Sequence, residues 1–145
     1  MGTKIRYIKS FRENATVRYR LEKAIIERRF PCIQCQEVHQ KTTALVCEGN
    51  IQPTVYSPFY EIRVVYRFSQ SPQVYILNPK IEIDAATHFY KEGNLCLFYP
   101  KDEPWKSTFR VADKIIPWVA EWLVFYELYK IDGVWYGKSA PHSNI

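Results

Sequence analysis

No stretch of this sequence is long and apolar enough to cross a bilayer. The most apolar window, Ile115 to Tyr129, is interrupted by Pro117, Glu121 and Glu127 and falls short of the ~20 residues a spanning helix needs. The opening Met1-Gly2-Thr3-Lys4-Ile5-Arg6 lacks the apolar centre of a secretory signal, and Arg6 stands where a myristoylation pattern wants Ser or Thr. Internal repeats, low-complexity tracts and linkers are missing, as is any glycine-rich nucleotide loop. These absences predict a cytoplasmic protein without a membrane partner, one domain over residues 1–145, and no adenylating activity of its own. Cysteine is scarce. Cys32, Cys35, Cys47 and Cys96 without a signal peptide predict reduced thiols rather than a disulfide framework.

What is present is a globular composition with two biases. Hydrophobic residues make up 47% and charged residues 24% of 145 positions, enough for a core that needs no metal or disulfide to hold it. The first bias is aromatic: eleven Tyr, eight Phe and four Trp, with many of them after residue 88. The second is charge. Residues 1–30 hold nine of the 20 Lys and Arg but only Glu13, Glu22 and Glu27 of the 15 acids. A basic segment can meet nucleic acid, an anionic membrane or an acidic protein surface. Charge alone does not choose among them.

Apolar residues recur at Val17, Leu21, Ala24 and Ile25, with Ile26 and Phe30 widening the stripe. That spacing predicts a helix over about Thr16–Phe30, capped by Asn14 or Thr16 and ended by Pro31. Arg18, Arg20, Lys23, Glu27 and Arg29 then fall mostly on its exposed face. Three strand-like runs follow. Leu45-Val46-Cys47 is bounded by Gly49; Glu61 to Phe68 alternates, with Ile62, Val64, Tyr66 and Phe68 on one face; Val74 to Leu77 comes after Pro72. Short connections such as Ser69-Gln70-Ser71-Pro72 predict an antiparallel meander. Residues 78–108 are irregular. A second helical region is expected from Ser107 or Thr108, with Pro117 opening a broad apolar face from Trp118 to Tyr129 and Gly133 stopping it. Helices segregated around an antiparallel sheet predict an α+β fold.

The irregular stretch contains Thr87-His88-Phe89-Tyr90-Lys91-Glu92-Gly93-Asn94-Leu95-Cys96-Leu97, and then Pro104-Trp105. The order His88, Gly93, Cys96, Leu97, Trp105 after a meander resembles the ubiquitin-conjugating enzymes, and Pro72-Gln73-Val74 resembles the entry to their later strands. The ending, Ile116-Pro117-Trp118-Val119-Ala120-Glu121-Trp122-Leu123 with Gly133 and Trp135-Tyr136-Gly137, is similar to the bacterial branch found beside cGAS/DncV-like nucleotidyltransferases in CBASS anti-phage operons. The resemblance covers most of residues 16–137. It implies a ubiquitin-conjugating-enzyme-like fold and a thioester between Cys96 and the C-terminus of the nucleotidyltransferase, or of a ubiquitin-like modifier. The acyl group then passes to an acceptor amine, which primes antiviral signalling. It also implies a separate activating enzyme as a partner, with the basic first helix as a docking face.

A thioester needs a thiol because the thiolate is a strong nucleophile that keeps the acyl carbon reactive toward amines. The resemblance makes Cys96 that nucleophile; residue type alone would equally allow a small buried hydrophobe between Leu95 and Leu97. In the family, His88 belongs to a His-Pro-Asn string whose Asn stabilises the oxyanion. This chain reads His88-Phe89-Tyr90, which gives His88 a loop-shaping role first and leaves Asn94, Tyr90 or a backbone N–H to replace the missing donor. The missing Asn also keeps a second reading open, an inactive module of the same fold that docks the nucleotidyltransferase without chemistry. Asp102 and Glu103 read as solvated loop charges.

Rival constellations are weaker. Cys32-x2-Cys35 with His39 and Cys47 has the elements of a zinc site. The intervening Ile33-Gln34 offers no turn, however, and residues three apart on a strand diverge. No metal and no cofactor are expected. The aromatic helix lacks the interleaved Lys and Arg of a base-stacking surface, so it reads as core and nucleic acid is not the expected partner. His142 reads as surface.

Overall fold

Asn14 opens the first helix. Its side-chain oxygen accepts the N–H of Val17 at 3.0 Å, and α1 then runs over Ala15–Arg29. The computed structural model describes residues 13–82, 93–95, 97 and 105–137. The inward face of α1 is not the Val17-Leu21-Ile25 stripe. Arg18, Tyr19, Glu22 and Ile26 are its buried residues, while Leu21 is 40% exposed. Arg18, expected on the surface, is buried because one turn of helix brings it to Glu22, with Nε 2.9 Å from Oε1. Opposite charges that satisfy each other can both leave water, where either alone could not.

Four strands follow, β1 (Ile33–His39), β2 (Thr43–Ile51), β3 (Tyr60–Tyr66) and β4 (Gln73–Asn78), in the order β1-β2-β3-β4. All neighbours are antiparallel, so the expected meander is present with one strand more than the three runs read from the sequence. The alternation of β3 is as expected: Ile62, Val64 and Tyr66 are buried and Glu61 is exposed. Gly49 does not end β2, which continues to Ile51. A Cβ at Gly49 would lie 2.1 Å from the carbonyl oxygen of Cys32, so glycine lets the turn before β1 pack onto β2.

Register lines up Cys35, Cys47, Val64 and Val74 as one row across the sheet, and all four are buried. The Cys35 N–H donates to Glu27 Oε1 at 3.1 Å and its carbonyl accepts Lys23 Nζ at 2.7 Å. Its backbone groups therefore face away from β2. Cys35 and Cys47 form a non-hydrogen-bonded pair with Cα atoms 4.0 Å apart, the arrangement that brings opposite side chains closest. The two sulfurs are joined as a disulfide, which corrects the expectation of reduced thiols for this pair.

The C-terminal helical unit starts with a π-helical turn, Val111–Ile115, that runs into α2 (Ile116–Asp132). Neither Ser107 nor Thr108 caps it. The N–H of Val111 goes instead to Glu22 Oε2 at 3.0 Å, so α1 supplies the cap and the helix begins later than its sequence suggests. Pro117 lies in the first turn of α2, and Gly133, at φ 74°, ends the helix with its N–H on the Tyr129 carbonyl at 2.8 Å. Val119, Trp122, Leu123 and Tyr126 are buried, with the Trp122 and Tyr126 rings stacked 5.7 Å apart. The aromatic helix is core, as read. No helix among the described residues is long and apolar enough to cross a membrane.

Candidate active site

Cys96 and His88 lie outside the described residues, as do Tyr90, Asp102, Glu103 and His142. The structure describes the frame on both sides of them. Gly93 has φ 87°, a left-handed conformation that glycine adopts without strain. Asn94 and Leu95 follow, both buried. Leu95 donates its N–H to the Val74 carbonyl at 2.9 Å, which attaches this segment to the outer edge of β4. The row Cys35-Cys47-Val64-Val74 thereby gains Leu95 at its end. Leu97 packs against the same core. The residues before and after position 96 are thus both held by the rigid part of the molecule.

The segment leading toward His88 is anchored as well. Ile81 is buried in the core, and the N–H of Glu82 donates to the hydroxyl of Tyr126 on α2 at 3.2 Å. On the far side, Trp105 sets its ring edgewise to Tyr66, 6.4 Å away, and to Phe109 at 5.6 Å. Arg18 then takes the Ser107 carbonyl at 2.7 Å through Nη1 and the Phe109 carbonyl through Nη2. Sequence reasoning read Trp105 as a landmark but missed Val74, Tyr126, Arg18 and Glu22. A strand valine and a helix tyrosine carry no signal of such a role; Arg18 read as exposed, and Glu22 entered only the charge count.

Three polar groups here are electrostatically unusual. Asn94 is 7% exposed and its Oδ1 is buried with no hydrogen bond among the described residues. Burial pushes the Glu22 carboxyl upward, against the pull of Arg18, the Val111 N–H and Arg110. Glu13 bridges Arg18 and Arg110 at 3.1 and 3.2 Å. Burial raises its carboxyl too, but the two guanidiniums outweigh that and hold it below the usual range.

The cysteine constellation does not converge. Cys32 is exposed, whereas Cys35 faces the core and is bonded to Cys47; His39 is exposed at the end of β1. Among the described residues no group of three His, Cys, Asp or Glu side chains could hold a metal. The basic face of α1 is also smaller than expected. Of Arg18, Arg20, Lys23 and Arg29, Arg18 is buried, Lys23 is bound to Glu27 and the Cys35 carbonyl, and Arg29 pairs with Asp113.

A family model described as type II CBASS E2 protein matches residues 22–143. The chain belongs to this family. No curated protein matches it. Membership in the type II CBASS E2 family gives the chain a role of the ubiquitin-conjugating (E2) type within CBASS. The match begins at Glu22, the buried carboxylate that joins α1 to the C-terminal helical unit, and it takes in the Gly93-to-Trp105 stretch.

Proposed function

We propose that this E2-type protein is an acyl carrier with Cys96 as its nucleophile. The Cys96 thiolate attacks the thioester carbonyl presented by an activating enzyme, and that enzyme's thiolate leaves. The acyl group is the C-terminal carbonyl of a cGAS/DncV-like nucleotidyltransferase. An acceptor amine then attacks the Cys96 thioester, an amide forms, a proton is lost from nitrogen and the Cys96 thiol is regenerated. His88 shapes the loop. Family membership supports the reaction class, and the observation that carries the site is the Leu95 N–H bond to the Val74 carbonyl. Transfer chemistry depends on reacting groups held on a rigid frame, and that bond fixes the residue before Cys96 to the sheet.

Asn94, two residues before Cys96, is the described candidate for the donor that the His88-Phe89-Tyr90 string lacks. Its oxygen is buried without a hydrogen bond among the described residues, and its nitrogen donates to none of them.

The test is intact-mass and non-reducing gel analysis after co-expression with the operon's nucleotidyltransferase and activating enzyme. The expected product is a reductant-sensitive adduct that Cys96→Ala abolishes and Cys32→Ala leaves intact. An adduct surviving Cys96→Ala sinks the assignment. Co-purification without any adduct identifies a non-covalent docking module instead.

A further inference from the structure

Between the start of α1, the end of β3 and the segment before the π-helical turn lies a cavity of about 620 Å³. Two guanidiniums line it, those of Arg18 and Arg110, and they are not equivalent. Arg18 is 2% exposed and spends its nitrogens on Glu13, Glu22 and the Ser107 and Phe109 carbonyls. Arg110 gives only Nη2 to Glu13, at 3.2 Å. Its Nη1 makes no hydrogen bond and lies 4.0 Å from Glu22 Oε1. A guanidinium carries five N–H donors, so Arg110 has capacity to spare.

Hydroxyls supply the rest of the lining. Tyr66 is 1% exposed and borders the cavity, yet its hydroxyl has no hydrogen-bond partner among the described residues. A buried phenol normally has one. Burial, against the pull of Arg18, raises this hydroxyl, so at neutral pH it stays a donor. Ser107 and Thr108 do not cap the helix, and their hydroxyls are unpaired among the described residues as well. Ser69 joins them from the turn after β3 at φ 64°. That left-handed position favours glycine, and here it holds a residue with a hydroxyl.

These groups leave donors in surplus. Among the described residues the one acid in the lining is Glu13, and both of its oxygens are taken, by Arg18 and Arg110 at 3.1 and 3.2 Å. Glu13 also demonstrates that the two guanidiniums accept an oxyanion between them. We propose that the cavity binds a phosphate group, which takes the Arg110 guanidinium from Glu13 and accepts from Tyr66 and the surrounding hydroxyls. The donors come from β3, from the turn after it and from the segment leading to Arg110. A tetrahedral oxyanion offers oxygens in several directions at once, where a carboxylate offers two in one plane. The volume is within the ~300–1,000 Å³ of small-molecule sites, so the phosphate is one group of a small molecule. Glu13 competes with it and weakens its binding.

Melting temperatures of the full chain test this, measured in inorganic phosphate and in sodium chloride of matched ionic strength. A ligand that binds only the folded state raises the midpoint by mass action. The expected result is a saturable rise in phosphate, absent in chloride and smaller in acetate. Arg110→Gln should abolish it. Tyr66→Phe keeps the ring and removes the hydroxyl, and should weaken apparent affinity about tenfold or more, as for loss of a hydrogen bond to a charged group. Glu13→Gln removes the competitor and should tighten binding. Phosphate also strengthens apolar burial in any protein, but that effect does not saturate and persists in Arg110→Gln. A rise of equal size in wild type and Arg110→Gln overturns the proposal. So does acetate matching phosphate, or Glu13→Gln binding more weakly than wild type. None of these measurements involves Cys96, so their outcome is independent of the acyl-carrier assignment.

Discussion

The Glu22 carboxylate accepts the backbone N–H of Val111 at 3.0 Å, across 89 positions of sequence. One side chain of the first helix thereby caps the last helical unit, and its partner Arg18 holds the two carbonyls just before that unit. The N- and C-terminal helices are one polar assembly built around a buried ion pair.

Removing Arg18 should therefore be costly. Arg18→Ala leaves Glu22 buried and short of its cation, and the Ser107 and Phe109 carbonyls lose a donor. Breaking one side of a buried pair costs about 3–5 kcal/mol, which urea titration should register as a lower midpoint. Replacing Arg18 and Glu22 together by leucine should cost clearly less than Arg18→Ala. A change under ~0.5 kcal/mol for Arg18→Ala would return the residue to the surface.

Stability should respond to pH in two opposed ways. Glu22 has a raised carboxyl in the folded chain. Its contribution is fully present below the unfolded value near ~4.3 and is lost as pH rises through the folded one. Glu13, lowered by Arg18 and Arg110 against burial, contributes above the unfolded value and loses that contribution on acidification. Urea midpoints measured from mildly acid to neutral pH should show Glu22→Gln removing the decline toward neutral pH. Glu13→Gln should remove part of the acid loss. Identical pH profiles for wild type and Glu22→Gln would contradict the raised carboxyl.

The Cys35–Cys47 bond closes a short loop, with a sequence separation of 12. A loop of that size corresponds to about 3 kcal/mol of lost unfolded-state entropy. Dithiothreitol should lower the urea midpoint of the wild type by that order and leave Cys35→Ala/Cys47→Ala unmoved. Mass spectrometry of the unreduced chain should find it lighter by two hydrogens than the reduced one. Full alkylation of all four cysteines without reductant would refute the pairing.

Asn94→Ala separates chemistry from packing. The buried Oδ1 has no partner among the described residues, so deleting it should leave stability unchanged or slightly higher. Loading of Cys96 should persist, while discharge to an amine slows by ~10²–10³, as for loss of one oxyanion donor. Normal discharge in a single-turnover assay would remove Asn94 from the mechanism.

Local signals were readable where one residue type enforces one geometry. Asn14 as a cap, Pro117 in a first turn, Gly133 as a stop and the alternation of β3 all follow from backbone chemistry that any context preserves. β1 was missed because Gln34, Gln36 and Glu37 interrupt its apolar positions, leaving only Ile33, Cys35 and Val38. The true face of α1 was missed for a different reason. Burial of Arg18 and Glu22 depends on carbonyls and an N–H some 90 residues away, and no local pattern reports on those. At the site, Cys96 and His88 were read from the order of landmarks alone, and both lie outside the described residues. The Val74 and Tyr126 anchors depend on tertiary pairing alone.

The two outer strands of the sheet have something in common. At its middle, β1 gives the N–H and carbonyl of Cys35 to Glu27 and Lys23; β4 gives the carbonyl of Val74 to Leu95. Main-chain groups that could template an added strand are already taken at Cys35 on one border and at the Val74 carbonyl on the other, a local protection against edge-to-edge aggregation. A partner's extended tail therefore finds no open ladder to join at these positions by β-augmentation. Recognition there must work through side chains, where a few substitutions can retune which partner is accepted.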